Sequence, residues 1–539
     1  MFHSGLETST MKAPPSFLMQ EATLLHQQGR LSEAAARYEH VLAQDKKNAD
    51  AHFLLASIHC QQGRLPEGIE FARNAIRIQP RYAAAHNLIA MAQQRLGRTE
   101  LALNSFDRAV AANPKFAEAW FNRALTLLAL GRRPQAIESF DHAIALMPDH
   151  AQARHGRGTA LMLEDRNAQA LADFDAAVTH DPRLAHAFAN RGYLLNRLGR
   201  FEEAFADLAR ALELAPDDDD VRYHAALVEL LHGRWREGWV HYEARLTARS
   251  LDTTRTFIPP AYPRWQGEPL DGDLLVLLTE QGRGDVIQFA RFAAQLAGSG
   301  ARVAIATQPA YASMFASIAG IERIITDTDE LATLGPLRWQ MLVSVPGVLG
   351  ITPETIPAAT PYLSADPPRM AAWRARLGPG FKIGISWQGS PSFIHDRGRS
   401  IPLTAFAPLA DLPGVRLISL QKRPGVEQIR AVPFRERIEQ VLDPSDTGEG
   451  AFLDTAALIA NLDLVVASDS MNAHLAGALG RRTFIALRKV PDWRWLLGRE
   501  DCPWYPAARL FRQATDGEWQ DVFTRIAVAA GEAAGWSAK

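Results

Sequence analysis

Residues 115–148 read KFAEAWFNRALTLLALGRRPQAIESFDHAIALMP, and this stretch decides the architecture of the first half of the chain. It is one period of a 34-residue self-similarity, a signal that outranks any local reading of structure. Proline recurs at 80, 114, 148, 182 and 216 on that period. Glycine recurs at 29, 63, 97, 131, 199 and 233, with Asp165 in the one skipped place, and an arginine follows each of these seven turns. Four residues beyond the arginine stands a small residue: Ala34, Gly68, Ala102, Ala136, Ala170, Ala204 and Gly238. Four further on a large one stands in most periods: Tyr38, Phe106, Phe140, Phe174, Leu208 and Tyr242. Each period therefore reads as a helical hairpin. Glycine allows the tight turn, the small residue lets the helices close, the aromatic fills the gap, and proline ends the second helix.

The pattern resembles the tetratricopeptide repeat (TPR), in seven units over residues 15–252, behind a flexible N-terminus of residues 1–14. The seventh unit, 219–252, lacks the terminal proline and carries Arg245 where alanine usually packs, so it reads as a degenerate cap or a bridge to the second half of the chain. The expected fold class for this half is an α-solenoid, a TPR superhelix. The resemblance implies a concave face that binds a peptide or a protein. Asn122 and Asn190 share one repeat position on the first helix, and Asn87 lies one place earlier. In protein O-linked N-acetylglucosamine transferases, asparagines on the inner TPR surface hold the acceptor backbone. An amide suits that task because it donates and accepts at once. The plainer reading of these three residues is ordinary exposed polarity.

The helical period vanishes after residue 250. Residues 253–272 form a linker in a stretch with four prolines, DTTRTFIPPAYPRWQGEPLDG. Short β-type runs then alternate with helical segments, the signature of a parallel α/β sheet. The strand candidates are 274–280, 302–307, 323–326 and 340–345, and then 381–387, 415–421, 462–468, 482–487 and 508–513. Two such sets imply two Rossmann-like halves, 273–367 and 368–539, the second ending in a helix. Ligands of such sheets bind beyond the carboxyl ends of the strands. Residues 1–250 and 262–539 each carry their own core pattern and are expected to be separately soluble.

Three loops at those strand ends hold the chemistry. TEQGRGDVIQFARF (279–292) places Asp285 at a helix start after Gly282 and Gly284. SWQGSPSFIHDRGRSIPL (386–403) contains Asp396, Arg397 and Arg399. SDSMNAHLAGALG (468–480) offers Ser470 as the cap of a helix whose N-terminal N–H groups favour a phosphate.

Together with PRWQGEPL, SLQK, DTAALIANLDLVVASDS, AHLAGALGR, PDWRWLLGREDCPWYP and RLFRQ, these loops make residues 262–530 resemble the glycosyltransferase domain that bacteria often attach to TPR arrays. That domain is related to the lipopolysaccharide heptosyltransferases, which have an inverting, two-Rossmann GT-B fold. The resemblance implies that Asp285 is the catalytic base. It implies that Arg399 neutralises the donor diphosphate, and that Asp469, Ser470 and His474 hold donor sugar and phosphate, with Gly282 and Gly284 in the first loop. Lys422 follows a strand in a lysine-poor chain and is a further phosphate candidate. Two departures stand out. Met471 and Asn472 replace the small or aliphatic residues usual after the aspartate–hydroxyl pair, and Arg488 and Lys489 follow the strand at 482–487.

Plainer readings compete at several of these positions. Asp285 is also a good helix-capping carboxylate, Arg399 a candidate for a surface salt bridge, and His474 a candidate for simple packing. Trp493 and Trp495 read as packing residues. Ile287 breaks a dinucleotide fingerprint, which argues against NAD. Asp327-Thr328-Asp329 reads as a turn rather than a metal site.

Composition sets the frame. The net charge of -2 implies no general attraction to nucleic acid or anionic membrane. Cys60 and Cys502 make neither a disulfide framework nor a metal set. There is no apolar run long enough for a span and no signal-peptide pattern, so a cytoplasmic location is expected. The expected function is an inverting, metal-independent glycosyltransferase with no resident cofactor, using a nucleotide sugar as co-substrate and a protein acceptor, such as a flagellin or other surface protein, held in the TPR groove. Self-association is left open. The alternative is a TPR interaction scaffold whose transferase domain is degenerate, with Met471 in the donor site.

Overall fold

The computed structural model describes residues 14–248, 262–280, 282–389, 398–443 and 451–535. Asp396, Arg397, residues 1–13 and residues 253–261 of the linker lie outside the described residues. The chain forms two compact units, 1–191 and 192–539.

In the first unit the helices come in hairpins from Pro15–Gln27 and Leu31–Gln44 to Ala151–Leu163 and Asn167–His180. The turn glycines Gly29, Gly63, Gly97 and Gly131 all have φ between 71° and 80°, and Asp165 takes their place at φ 60°. Aspartate is one of the few residues that tolerates this left-handed region. Tyr38, Phe106, Phe140 and Phe174 are fully buried, as are Ala34, Ala102, Ala136 and Ala170. The fit is close: a Cβ added at Gly156 would meet the Phe140 ring at 2.5 Å, and one at Gly158 would meet Phe174 at 2.7 Å.

A second 34-residue rhythm runs through the polar residues. Arg123 pairs with Asp107 at 2.7 Å, Arg157 with Asp141 at 2.6 Å, and Arg191 with Asp175 at 2.8 Å. Arg157 also forks onto Asp173, whose side chain is buried. The rungs to Asp107, Asp141 and Asp175 join the first helix of one repeat to the second helix of the repeat before it, whereas Arg157–Asp173 lies within one repeat.

The second unit holds two parallel sheets. The strands are β1 (Leu274–Leu278), β2 (Val303–Ala306), β3 (Ile321–Ile325), β4 (Leu337–Met341), β5 (Phe381–Ser386), β6 (Val415–Ser419), β7 (Ile438–Glu439), β8 (Leu464–Ser468), β9 (Thr483–Leu487) and β10 (Ala508–Arg512). They are ordered β3-β2-β1-β4 and β10-β9-β8-β5-β6-β7, and every pairing is parallel. Central strands β1, β8 and β9 are buried along their whole length, which suits their unbroken apolar runs. Two details differ from the sequence reading. The fourth strand lies at 337–341 rather than 340–345, because Pro346 favours a helical first turn and Val345–Val348 is a short helix. The two-residue edge strand β7 is too short to leave a pattern.

The larger difference concerns the domain boundary expected at 252. Helices Asp219–Leu231 and Trp235–Tyr242, the seventh repeat, belong to the core of the α/β region. Trp235 stacks on Trp504 with ring centroids 5.5 Å apart, and Trp239 meets Trp493 edge-on at 5.4 Å. The Trp239 indole N–H donates to the Ile351 carbonyl at 3.0 Å. Arg245 is buried and joined to Glu280, to Glu243 at 3.1 Å and to the Ser344 hydroxyl at 2.8 Å. Burial opposes its charge, but Glu280 and Glu243 outweigh that and hold its pKa above the ordinary guanidinium value. Residues 219–248 are repeat by sequence and α/β core by packing.

Candidate functional site

A cleft of about 1090 Å³ opens in the second unit at the carboxyl ends of both sheets. Its walls are the segments after β1 (279–280 and 282–286), β5 (386–389), β6 (420–424), β8 (469–474) and β9 (488 and 490–494). This is where parallel α/β sheets place their ligands. Gly282, Gly284, Asp285, Arg399, Lys422, Asp469, Ser470 and His474, scattered over almost 200 residues of sequence, all line this one cavity. Among the described residues eight basic side chains line it against four carboxylates, a lining that favours anions although the whole chain is slightly acidic.

The loop geometry follows from buried polar ties. Gln421 takes the N–H groups of Trp387 and Gln388 on its side-chain oxygen, both at 3.2 Å. Its amide nitrogen donates to the carbonyls of Gln388 at 2.9 Å and Pro424 at 2.7 Å, which fixes the two loops after β5 and β6 against each other. Asn472 donates to the Ser386 hydroxyl at 3.0 Å and to the Leu420 carbonyl at 3.3 Å. Its side-chain oxygen, buried on the cleft wall, has no partner among the described residues. The unusual asparagine thus ties helix Met471–Ala478 to β5 and β6. Met471 is half-buried, packs on the core and forms part of the cleft wall.

Asp285 is the third residue of helix Arg283–Gly298. One carboxylate oxygen accepts the Gly282 N–H at 3.2 Å, and the other is 2.5 Å from Arg494. Capping and cleft-facing roles therefore coexist in this side chain. Asp492 also holds Arg494, at 2.8 Å. Burial disfavours the Arg494 charge, but Asp285 and Asp492 more than compensate and raise its pKa well above the ordinary value. Burial also raises Asp469 above the usual carboxylate range, against the pull of Arg399.

Several site assignments change. Ser470 occupies the cap position of helix Met471–Ala478, but its hydroxyl donates to the Ser468 carbonyl at 3.1 Å and caps nothing. The helix start is thereby left without a side-chain cap, and its N–H groups remain for other acceptors. Gly284 makes room for a histidine: an added Cβ would stand 2.8 Å from the His474 ring. His474 is buried, shares a hydrogen bond with the Tyr505 hydroxyl at 2.9 Å and stacks on Trp495 at 5.2 Å. Burial, reinforced by Arg494, lowers its pKa to about 3, so it is neutral at physiological pH. It joins the two α/β halves by packing. Trp493 and Trp495 are both buried, and Trp493 also forms part of the cleft wall. Asp327 accepts the Asp329 N–H at 3.0 Å and starts a 3-10 turn.

The three repeat asparagines do not present free amides. Asn87 is buried, and its oxygen accepts from Asn122 at 3.4 Å. Asn190 is buried and bonds His155 at 2.9 Å and the Thr159 hydroxyl at 3.0 Å. Each pair stitches successive repeats together, because residues 34 or 35 apart fall side by side on neighbouring helices.

Other residues were not anticipated in the cleft. Arg494 and Asp492 come from PDWRW, where an arginine between two tryptophans is a signal in itself, since a charge in a buried run requires partners. Tyr193, Asn196 and Arg197 come from repeat helix Ala185–Arg197 and Tyr223 from the seventh repeat. Arg488 lines the cleft, and burial together with nearby Arg197 lowers its pKa below the ordinary guanidinium value. Lys489 is exposed and lies outside it.

Comparison with known proteins bears on the repeats. Residues 25–92 match one tetratricopeptide repeat family, and 87–151, 122–185 and 155–219 match another. The chain is 31% identical over 330 residues to Protein FlbA of Caulobacter vibrioides. That match covers 57% of this chain, more than the repeats account for, and 54% of FlbA, so it spans about half of that relative's length. Among solved structures, YrrB, described as a TPR protein with an unusual peptide-binding site, is 21% identical with a TM-score of 0.32, covering 35% of this chain and 98% of its own. The type IV pilus biogenesis factor PilW is 21% identical with a TM-score of 0.35, covering 39% and 96%. Among the described residues no helix is long and apolar enough to cross a membrane. The N-terminal part of the chain is built of tetratricopeptide repeats, a scaffold for protein or peptide partners, and is followed by a parallel α/β region.

Proposed function

We propose that the α/β region is an inverting, metal-independent glycosyltransferase of GT-B type, and that the repeats capture its protein acceptor. The observation that carries this reading is the mainly basic cleft at the strand ends, with the Asp285 carboxylate on its wall. A nucleotide diphosphate sugar suits such a cleft. Arg399 and Lys422 would meet the diphosphate, as would the uncapped start of helix Met471–Ala478. The unpartnered Asn472 oxygen is an acceptor for a sugar hydroxyl. The acceptor oxygen attacks the anomeric carbon and its proton passes to Asp285 as the carbon–diphosphate bond breaks. Negative charge then gathers on the leaving diphosphate, where the fixed cations stabilise it. These cations do the charge-neutralising work that the reaction needs, so the scheme requires no metal.

The test is a panel of UDP-, GDP- and ADP-linked sugars, with binding read by calorimetry and transfer by mass spectrometry of proteins captured through the repeats. Binding of one donor class and glycan on a captured protein support the proposal. Absence of binding across the panel favours the second reading, a repeat scaffold whose α/β region is degenerate at Met471.

A further inference from the structure

Asp285 is held at both oxygens, and the stronger hold comes from the opposite α/β half. Arg494 is itself immobilised from several sides. One arm reaches Asp492 at 2.8 Å, and Asp492 also accepts the Arg494 backbone N–H at 3.0 Å. The Arg494 carbonyl accepts the Trp504 indole N–H at 2.7 Å. The guanidinium lies over the rings of Trp493 at 4.4 Å and Phe289 at 5.9 Å. Its side chain is only 10% exposed and that of Asp285 19%, so little of the pair is open to water.

The carboxylate torsion of a free aspartate is soft. Clamped between a backbone N–H and a fixed guanidinium fork, it is not. We propose that Arg494 is a positioning residue: it aims the Asp285 carboxylate and acts through it, tying the proton acceptor on one half to the diphosphate-binding half. This inference rests on Asp285 being the proton acceptor in the transfer proposed above. In this proposal Arg494 acts only through Asp285. Its contribution is geometric, and a misplacement of about 1 Å costs on the order of 10²-fold in rate.

The experiment is a double-mutant cycle of Arg494→Met and Asp285→Asn, with Arg494→Lys as the variant that keeps the buried charge but loses the fork. Nucleoside diphosphate release from the UDP-, GDP- and ADP-sugar panel gives kcat and KM. Binding of the free nucleoside diphosphates reports folding and donor affinity. Both Arg494 variants should lower kcat by about 10²-fold with donor KM and diphosphate affinity unchanged. On the Asp285→Asn background, Arg494→Met should add almost nothing. Multiplying losses in the double variant overturn the inference, because Arg494 then acts on its own. So does a raised KM with intact kcat, which makes Arg494 a ligand contact. If the methionine variant fails to bind diphosphate, wild-type kcat in the lysine variant overturns it. Wild-type protein that releases nucleotide from no donor overturns the proposed function and this inference together.

Discussion

Severing the chain in its linker, between residues 250 and 262, tests whether the seventh repeat is core or accessory. The fragment 262–539 loses Arg245 and leaves Glu280, whose side chain is 5% exposed, without its partner. Breaking a buried pair in this way costs about 3–5 kcal/mol. It also loses Trp235, Trp239 and Tyr242, whose rings cover Trp504 and Trp493 at 5.4–5.6 Å. Removing a large aromatic from a core costs about 3–5 kcal/mol each. The sum is on the order of 10–20 kcal/mol, against about 5–15 kcal/mol for the whole stability of a domain. Residues 262–539 alone should therefore be insoluble, or soluble without near-ultraviolet circular dichroism. Residues 185–539, which keep helix Ala185–Arg197, the seventh repeat and the whole cleft wall, should unfold cooperatively in denaturant. Soluble 262–539 with the same denaturant midpoint as 185–539 would refute the reasoning.

Asp285→Asn should lower transfer by about 10²–10⁴-fold, the contribution of a positioned base, while leaving donor binding intact. Because Asn cannot neutralise Arg494, it should also cost about 1.5–3 kcal/mol in denaturant unfolding, where a bare capping role predicts no change. Arg399→Ala should weaken nucleoside diphosphate binding by about 1.5–3 kcal/mol in calorimetry, and unchanged affinity would remove Arg399 from the site. His474 has a folded pKa near 3, below the value of about 6.5 expected when unfolded, so the unfolded state binds the extra proton. Stability from this group is present above about 6.5 and is lost as pH falls toward 3; His474→Gln should flatten that fall in pH-dependent melting. Gly131→Ala should cost about 1–2 kcal/mol, purely from its φ of 71°, since an added Cβ there meets nothing within 4 Å.

Periodic features are legible because their causes are local. The turn glycines, the buried alanine–aromatic pairs and the buried strands each depend on contacts within one hairpin or one βα unit. Asp165 even announces itself, as the one non-glycine at a turn whose geometry it shares. The features that sequence misplaces depend on neighbours far away in the chain. The spacing of Asn87, Asn122 and Asn190 puts them on first helices, but spacing does not reveal that each finds its partner one repeat away. Likewise Asp107, Asp141 and Asp175 repeat as faithfully as the prolines, yet only the fold shows them gripping Arg123, Arg157 and Arg191. The site loops stand out by resemblance, and the cleft does gather them. Arg494 escapes notice because its importance lies in Asp285, some 200 residues earlier. The seventh repeat keeps the turn glycine and the small residue of the 34-residue rhythm past the point where its packing partners change, so only its missing proline and Arg245 mark that transition.

The junction also bears on how such a chain evolves. In the first unit the hairpins from 99 to 191 are joined by three rungs of the same kind, so gain or loss of 34 residues within that stretch leaves the remaining rungs with equivalent partners. Helices Asp219–Leu231 and Trp235–Tyr242 have no such freedom, because Trp235, Trp239 and Arg245 answer to Trp504, Ile351 and Glu280. Relatives should vary in repeat number by whole units at the amino-terminal side while the last hairpin keeps its tryptophans and its arginine. Length variation thus tunes which partners are held without disturbing the cleft.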